Sequence, residues 1–149
     1  MAKVSFNYAD RTLPLKQKRQ IKNFISDIFL MENKILEKLT YIFCSDNYLL
    51  NINKKFLFHN TYTDIITFDL SDSKKIIKGE IYISVDRVKE NTIRYNTTFT
   101  DEFLRVIFHG ALHLCGFQDK KDSEKQLMRK KEDFYLKTFH VKQSKIWNR

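Results

Sequence analysis

From Phe103 to Cys115 nearly every position is apolar, and the exceptions include two histidines, His109 and His113, spaced four apart. A helix of this composition is enclosed on most sides rather than laid on a surface, so the other elements must be arranged around it. Its start is marked by Thr98 and Thr100 followed by Asp101 and Glu102, because hydroxyl caps and early carboxylates suit a helix N-terminus. Gly116 is its stop.

Residues four apart project from one helix face, about 6 Å apart along the axis, so the two imidazoles can share one ion. Either histidine alone reads as a hydrogen-bonded core residue. Two on one face, followed by Gly116 and Asp119 in the spacing HxxxHxxGxxD, point instead to metal. Gly116 lets the chain turn back, and Asp119 then supplies an oxygen ligand, leaving the fourth position of an open zinc site for water. Zinc lowers the pKa of such a water to about 7. Metzincin proteases share this spacing, but their helix reads H-E-x-x-H with glutamate as general base. Gly110 stands in that place here, so the protease mechanism has lost its base. A phosphodiester, already anionic, suits a cationic site better.

Around this helix the patterning alternates between strands and helices. Val4 to Tyr8 is a strand, and Pro14 opens a helix carrying Ile21, Phe24, Ile25 and Ile28 that ends near Asn33. Leu39 to Cys44 is a buried strand, and Ser45 or Asp46 caps a helix with Leu49, Leu50, Ile52 and Phe56. Ile65 to Leu70 and Glu80 to Ser84 form a hairpin across the charged turn SDSKK, which makes the sheet mixed. Val85, Val88, Thr92 and Tyr95 follow helical spacing. Asp122 or Ser123 caps a last helix with Leu127, Met128, Phe134 and Tyr135 inward, and Lys120, Lys121, Lys125, Arg129, Lys130 and Lys131 near solvent. No linker, repeat or low-complexity block divides the chain. The expected fold is a single α/β (α+β) domain over residues 1–149, a small mixed four-stranded sheet flanked by helices with the metal-binding helix at its centre.

Net charge bears on the partner. Lys and Arg number 27 against 18 Asp and Glu, a balance of +9 that favours a polyanion such as nucleic acid, although charge alone decides little. Cys44 and Cys115 lie far apart in apolar runs and read as buried free thiols. The N-terminal segment has no apolar signal-like core, and no stretch approaches a membrane span of about 18 apolar residues, so the expected location is the cytoplasm.

The stretch HGALHLCGFQD resembles the H-G-x-L-H-L-x-G-[YF]-D-H signature of the YbeY family, bacterial zinc-dependent endoribonucleases of ribosomal RNA maturation and small-subunit quality control. Further blocks agree in order: NKKF at Asn53 to Phe56, TDIITF at Thr63 to Phe68, GEIYIS at Gly79 to Ser84, and Met128 with Glu132 as a closing M-x-x-x-E. The resemblance spans Leu39 to Leu136. It implies zinc-dependent cleavage of ribosomal RNA, one zinc ion and no organic cofactor, with the small ribosomal subunit as partner and no membrane. Three positions depart from the family pattern. Its third histidine falls at Asp119, its phosphate-contacting arginine at Leu57, and the proline before T-D at Tyr62.

Leu57 cannot bind phosphate, so His59 in the same loop is the candidate substitute, against a plain reading as an exposed loop histidine. Asp64 either orients a ligating imidazole or water, or caps its own loop. Lys120 and Lys121, beside the ligands in sequence, are the candidate RNA-binding pair. The alternative reading is a non-enzymatic ribosome-binding factor whose zinc is structural, which requires a fourth protein ligand. None is obvious, because Cys115 points about 160° away from His113 on the helix.

Overall fold

A computed structural model describes residues 3–147, with side chains through residue 144. Its elements run β1 (Val4–Tyr8), α1 (Lys18–Met31), β2 (Ile35–Cys44), α2 (Asp46–Leu57), β3 (Ile65–Asp69), β4 (Ile76–Ser84), α3 (Val85–Arg94), α4 (Phe99–Leu114) and α5 (Asp122–Trp147). The sheet order is β1-β2-β4-β3, with β1 parallel to β2, β2 parallel to β4, and β3 antiparallel to β4. The expected mixed four-stranded sheet and its hairpin are therefore present.

Both β2 and β4 begin earlier than their apolar runs suggest. In β2 the register shifts between Leu36 and Lys38, so Glu37 and Lys38 both face outward and break the alternation that marks a strand. In β4 the strand runs through Gly79, a residue that reads as a turn in sequence. Pro14 does not open α1: Leu13 and Leu15 on either side of it are buried, and the helix starts at Lys18 after Gln17 at φ 61°. Ser45 caps α2 by accepting from the Tyr48 N–H, and Thr98 caps α4 by accepting from that of Asp101. Helix α5 starts at Asp122 itself, and the preceding Lys120 and Lys121 N–H groups are satisfied by the Glu124 carboxylate instead. Its inward stripe is Met128, Glu132, Tyr135, Leu136 and Phe139, while Leu127 (47% exposed) and Phe134 (54%) face out, contrary to expectation. A carboxylate in the middle of that stripe hides its apolar face from a sequence reading.

Helix α4 lies flush on the sheet. A Cβ at Gly110 would stand 2.8 Å from Ile81 Cδ1 of β4, and one at Gly79 would stand 2.9 Å from Leu114 Cδ1 of α4. Each glycine is thus covered by an aliphatic side chain of the opposing element. Tyr41 of β2, fully buried, donates its hydroxyl proton to the Ile107 carbonyl at 2.8 Å and ties the helix to the middle of the sheet. Phe103, Leu104, Ile107, Phe108, Ala111 and Leu112 are completely buried, as expected of an enclosed helix.

Candidate metal centre

The one face of α4 that leaves the core carries His109 and His113, both half-buried. Their Nε2 atoms are 3.0 Å apart. At the end of the helix, Gly116 takes φ 105°, a left-handed conformation that reverses the chain, and the Gly116 and Phe117 N–H groups close back onto the His113 and Leu112 carbonyls. The reversal brings Asp119 Oδ2 to 3.2 Å from His109 Nε2 and 3.4 Å from His113 Nε2. Among the described residues, these three form a group whose ligand atoms all lie within 4.8 Å of one another.

The donor set fits zinc. With bonds of about 2.0–2.2 Å, two ligands of a tetrahedral zinc lie about 3.3 Å apart, which is the scale of all three separations. Electrostatics agree with geometry. The neutral His109 ring donates its Nδ1 proton to Glu132 Oε2 at 2.6 Å, so its Nε2 presents a lone pair toward the Asp119 carboxylate and the His113 ring. Lone pairs converging in this way repel one another unless a proton on His113 Nε2 or a cation lies between them.

Glu132, buried on α5, carried no assigned role in the sequence beyond its family block. It binds His109 with one oxygen and Arg105 with the other, at 2.9 Å, and Arg105 also reaches Asp133 at 2.7 Å. A chain of charge-assisted bonds therefore fixes the His109 ring from α5. Burial opposes a charge on His109, yet the Glu132 bond and the carboxylates of Glu132, Asp119 and Asp64 outweigh it and raise its pKa. Glu132→Gln is expected to leave the fold intact but weaken metal binding about 10- to 100-fold. Competition titration against a chromophoric chelator measures this, and unchanged affinity would count against the orienting role.

The three ligand candidates open onto a cavity of about 1100 Å³ that Leu57, His59, Asp64 and Lys120 also line; Lys121 is exposed but does not line it. Asp64, which lines the cavity with His109, has its carboxyl pKa raised by burial, with the charge of His109 pulling the other way. Arg105 and Arg129 line the cavity as well, and so does Glu102, whose pKa burial raises. The cleft is thus less basic than its flanking lysines suggest. Five carboxylates (Asp64, Asp69, Glu102, Asp119, Glu132) face three permanent cations (Arg105, Lys120, Arg129), so a divalent metal is needed before the floor attracts phosphate. Cys115 packs into the core, its thiol pushed up to about 12 by burial, and neither lines this cavity nor joins the three donors.

The chain is similar to known proteins over most of its length. The family described as Endoribonuclease YbeY matches residues 5–140. A relative named Endoribonuclease YbeY from Flavobacterium psychrophilum is 47% identical over 141 residues, covering 95% of this chain and 99% of its own. One from Cytophaga hutchinsonii is 47% identical over 133 residues, covering 89% and 93%, and one from Karelsulcia muelleri is 52% identical over 105 residues, covering 70% and 74%. Among solved structures, a Thermotoga maritima protein studied in solution superposes with a TM-score of 0.67 at 25% identity, covering 94% of this chain and 92% of its own.

Proposed function

The chain belongs to the Endoribonuclease YbeY family, and from that premise we propose that it is a zinc-dependent endoribonuclease of ribosomal RNA maturation and small-subunit quality control, acting in the cytoplasm as one domain. The observation that carries the reading is the His109–His113–Asp119 set, whose spacing suits one zinc ion and whose ligand count leaves a position open toward the cavity. A structural zinc would be closed by a fourth protein donor, and among the described residues no other His, Cys, Asp or Glu joins the group. That distinction favours the enzyme over the binding factor.

When bound, zinc would supply Lewis acidity and a water acidic enough to be deprotonated near neutral pH. The chain's own residues do the rest. Glu132 holds His109 in the ligating orientation, and Asp64, which lines the same cavity, either orients an imidazole or accepts a proton from the attacking water. Lys120 and Arg129 neutralise the phosphates flanking the scissile bond, with Lys121 beyond the cavity rim and His59 contributing at the loop. No helix among the described residues is long and apolar enough to cross a membrane.

Chelation is expected to abolish RNA cleavage, and zinc in one-to-one ratio to restore it. The affinity should fall on acidification through the imidazole range: a proton competes with the metal at each ring, and the raised pKa of His109 strengthens that competitor. Elemental analysis with a cleavage assay before and after chelation checks both points. Cleavage that survives full metal removal would refute the proposal.

A further inference from the structure

The charged groups around the cavity are unevenly distributed. Its permanent cations, Arg105, Lys120 and Arg129, all belong to α4, α5 and the turn between them. The wall built from the end of α2, the loop after it and the face of α3 has none, and is lined by Leu57, His59, Tyr62, Asn91 and Tyr95. Two of these are tyrosines held largely in the open: Tyr62 is 52% exposed and Tyr95 63%.

Tyr62 is held in place from beneath. The Arg87 guanidinium lies 5.1 Å from its ring centroid, and that guanidinium is itself anchored by Asp46 at 2.6 Å and Glu90 at 3.5 Å. The backbone just before it is pinned by one buried residue. The Asn53 side-chain amide donates to the Thr61 carbonyl at 2.8 Å, and the Asn53 backbone carbonyl accepts from the His59 N–H at 3.2 Å. Arg87, Asn91 and Tyr95 follow one another at intervals of four along α3 and its C-cap, and Tyr62, Asn91 and Tyr95 all line the cavity. A rigid aromatic plane with one face on a guanidinium and the rest exposed at a cavity is suited to receive a second flat ring.

We infer that Tyr62, supported by Tyr95, is a base-stacking subsite that takes an unpaired nucleobase next to the phosphate at the metal centre. The inference rests on the RNA-cleaving reading above and adds how this chain holds the strand. A paired base keeps its faces within the helix stack and cannot occupy the site. The guanidinium behind this wall, Arg87, is covered by Tyr62 and paired with Asp46 and Glu90, and no permanent cation lines the cavity there, so the flank where Leu57 stands grips the substrate through its bases. Tyrosine at position 62 is thereby a specificity-determining residue of this chain.

The test is stopped-flow anisotropy, which resolves association before cleavage, with zinc-loaded protein and short labelled single-stranded RNA oligonucleotides, either intact or carrying abasic positions. Tyr62→Ala should weaken binding of intact RNA about tenfold, and Tyr62→Phe should stay within about twofold of wild type. Fully abasic RNA should bind wild type and Tyr62→Ala alike. Equal losses on intact and abasic RNA, no loss at all, or no association of RNA with the wild type would each overturn the stacking site. Cleavage by the wild type is scored separately. Cleavage without base-dependent binding removes this subsite alone, whereas base-dependent binding without cleavage supports the subsite and removes the nuclease.

Discussion

His113→Ala is expected to abolish stoichiometric zinc binding and to lower RNA cleavage on the order of a thousandfold or more, with little loss of stability. The replacement deletes one of three donors, and Asp119 and His109 alone make a site with two protein ligands, too few to retain zinc against competing chelators. Stability is spared because the ring leaves the core rather than filling it: His113 is half-buried, faces the cavity, and sits between Leu112 and Leu114, which do the packing. Elemental analysis, a cleavage assay and a thermal melt on one preparation separate the contributions. A variant that binds full zinc and still cleaves would remove His113 from the site. A wild type that binds zinc and does not cleave would restore the binding-factor reading.

A larger effect on folding is expected from Gly110→Glu, the substitution that would write the metzincin helix motif into this chain. Its Cβ alone would stand 2.8 Å from Ile81 Cδ1 and 3.0 Å from Ile65 Cδ1, closer than side-chain carbons pack. Overpacking of this kind costs about 1–3 kcal/mol, and a carboxylate buried unpaired among isoleucines adds several more. The sum is comparable to the whole stability of an ordinary domain, about 5–15 kcal/mol. The protein should be recovered unfolded or aggregated, with no peptidase activity, whereas Gly110→Ala should melt only a few degrees lower because helix propensity offsets part of the crowding. A folded Gly110→Glu variant, judged by circular dichroism and melting, would show that the helix does not lie flush against β4. The protease base is thus excluded twice, by chemistry and by space.

How much of this could be seen in the sequence depended on distance along the chain. His109 and His113 were legible because helical periodicity converts a spacing of four into a shared face, and Asp119 because Gly116 announces a reversal just before it. Glu132 was not, although it touches His109 at 2.6 Å, because a carboxylate on a basic helix resembles any solvated residue until packing brings α5 against α4. The same reason hid Arg105 and Arg129 at the cavity and misdirected Leu127 and Phe134 inward. Strand positions were read well where alternation was regular and poorly where Glu37, Lys38 and Gly79 interrupted it. The uneven charge around the cavity was invisible, since it depends on which side chains of the basic cluster turn toward the opening.

The reciprocal fit of Leu114 over Gly79 and Ile81 over Gly110 has a consequence for metal choice. It sets the height at which α4 rides above the sheet, and both imidazoles ride with it as a unit. Asp119 does not, because it hangs from the loop beyond Gly116. Anything that thickens the contact between helix and sheet would therefore keep the two nitrogens in step while drawing them away from the carboxylate oxygen. The radius of the ion that these three donors would accept is then governed in part by two positions that supply no donor, one of them in the middle of a β-strand.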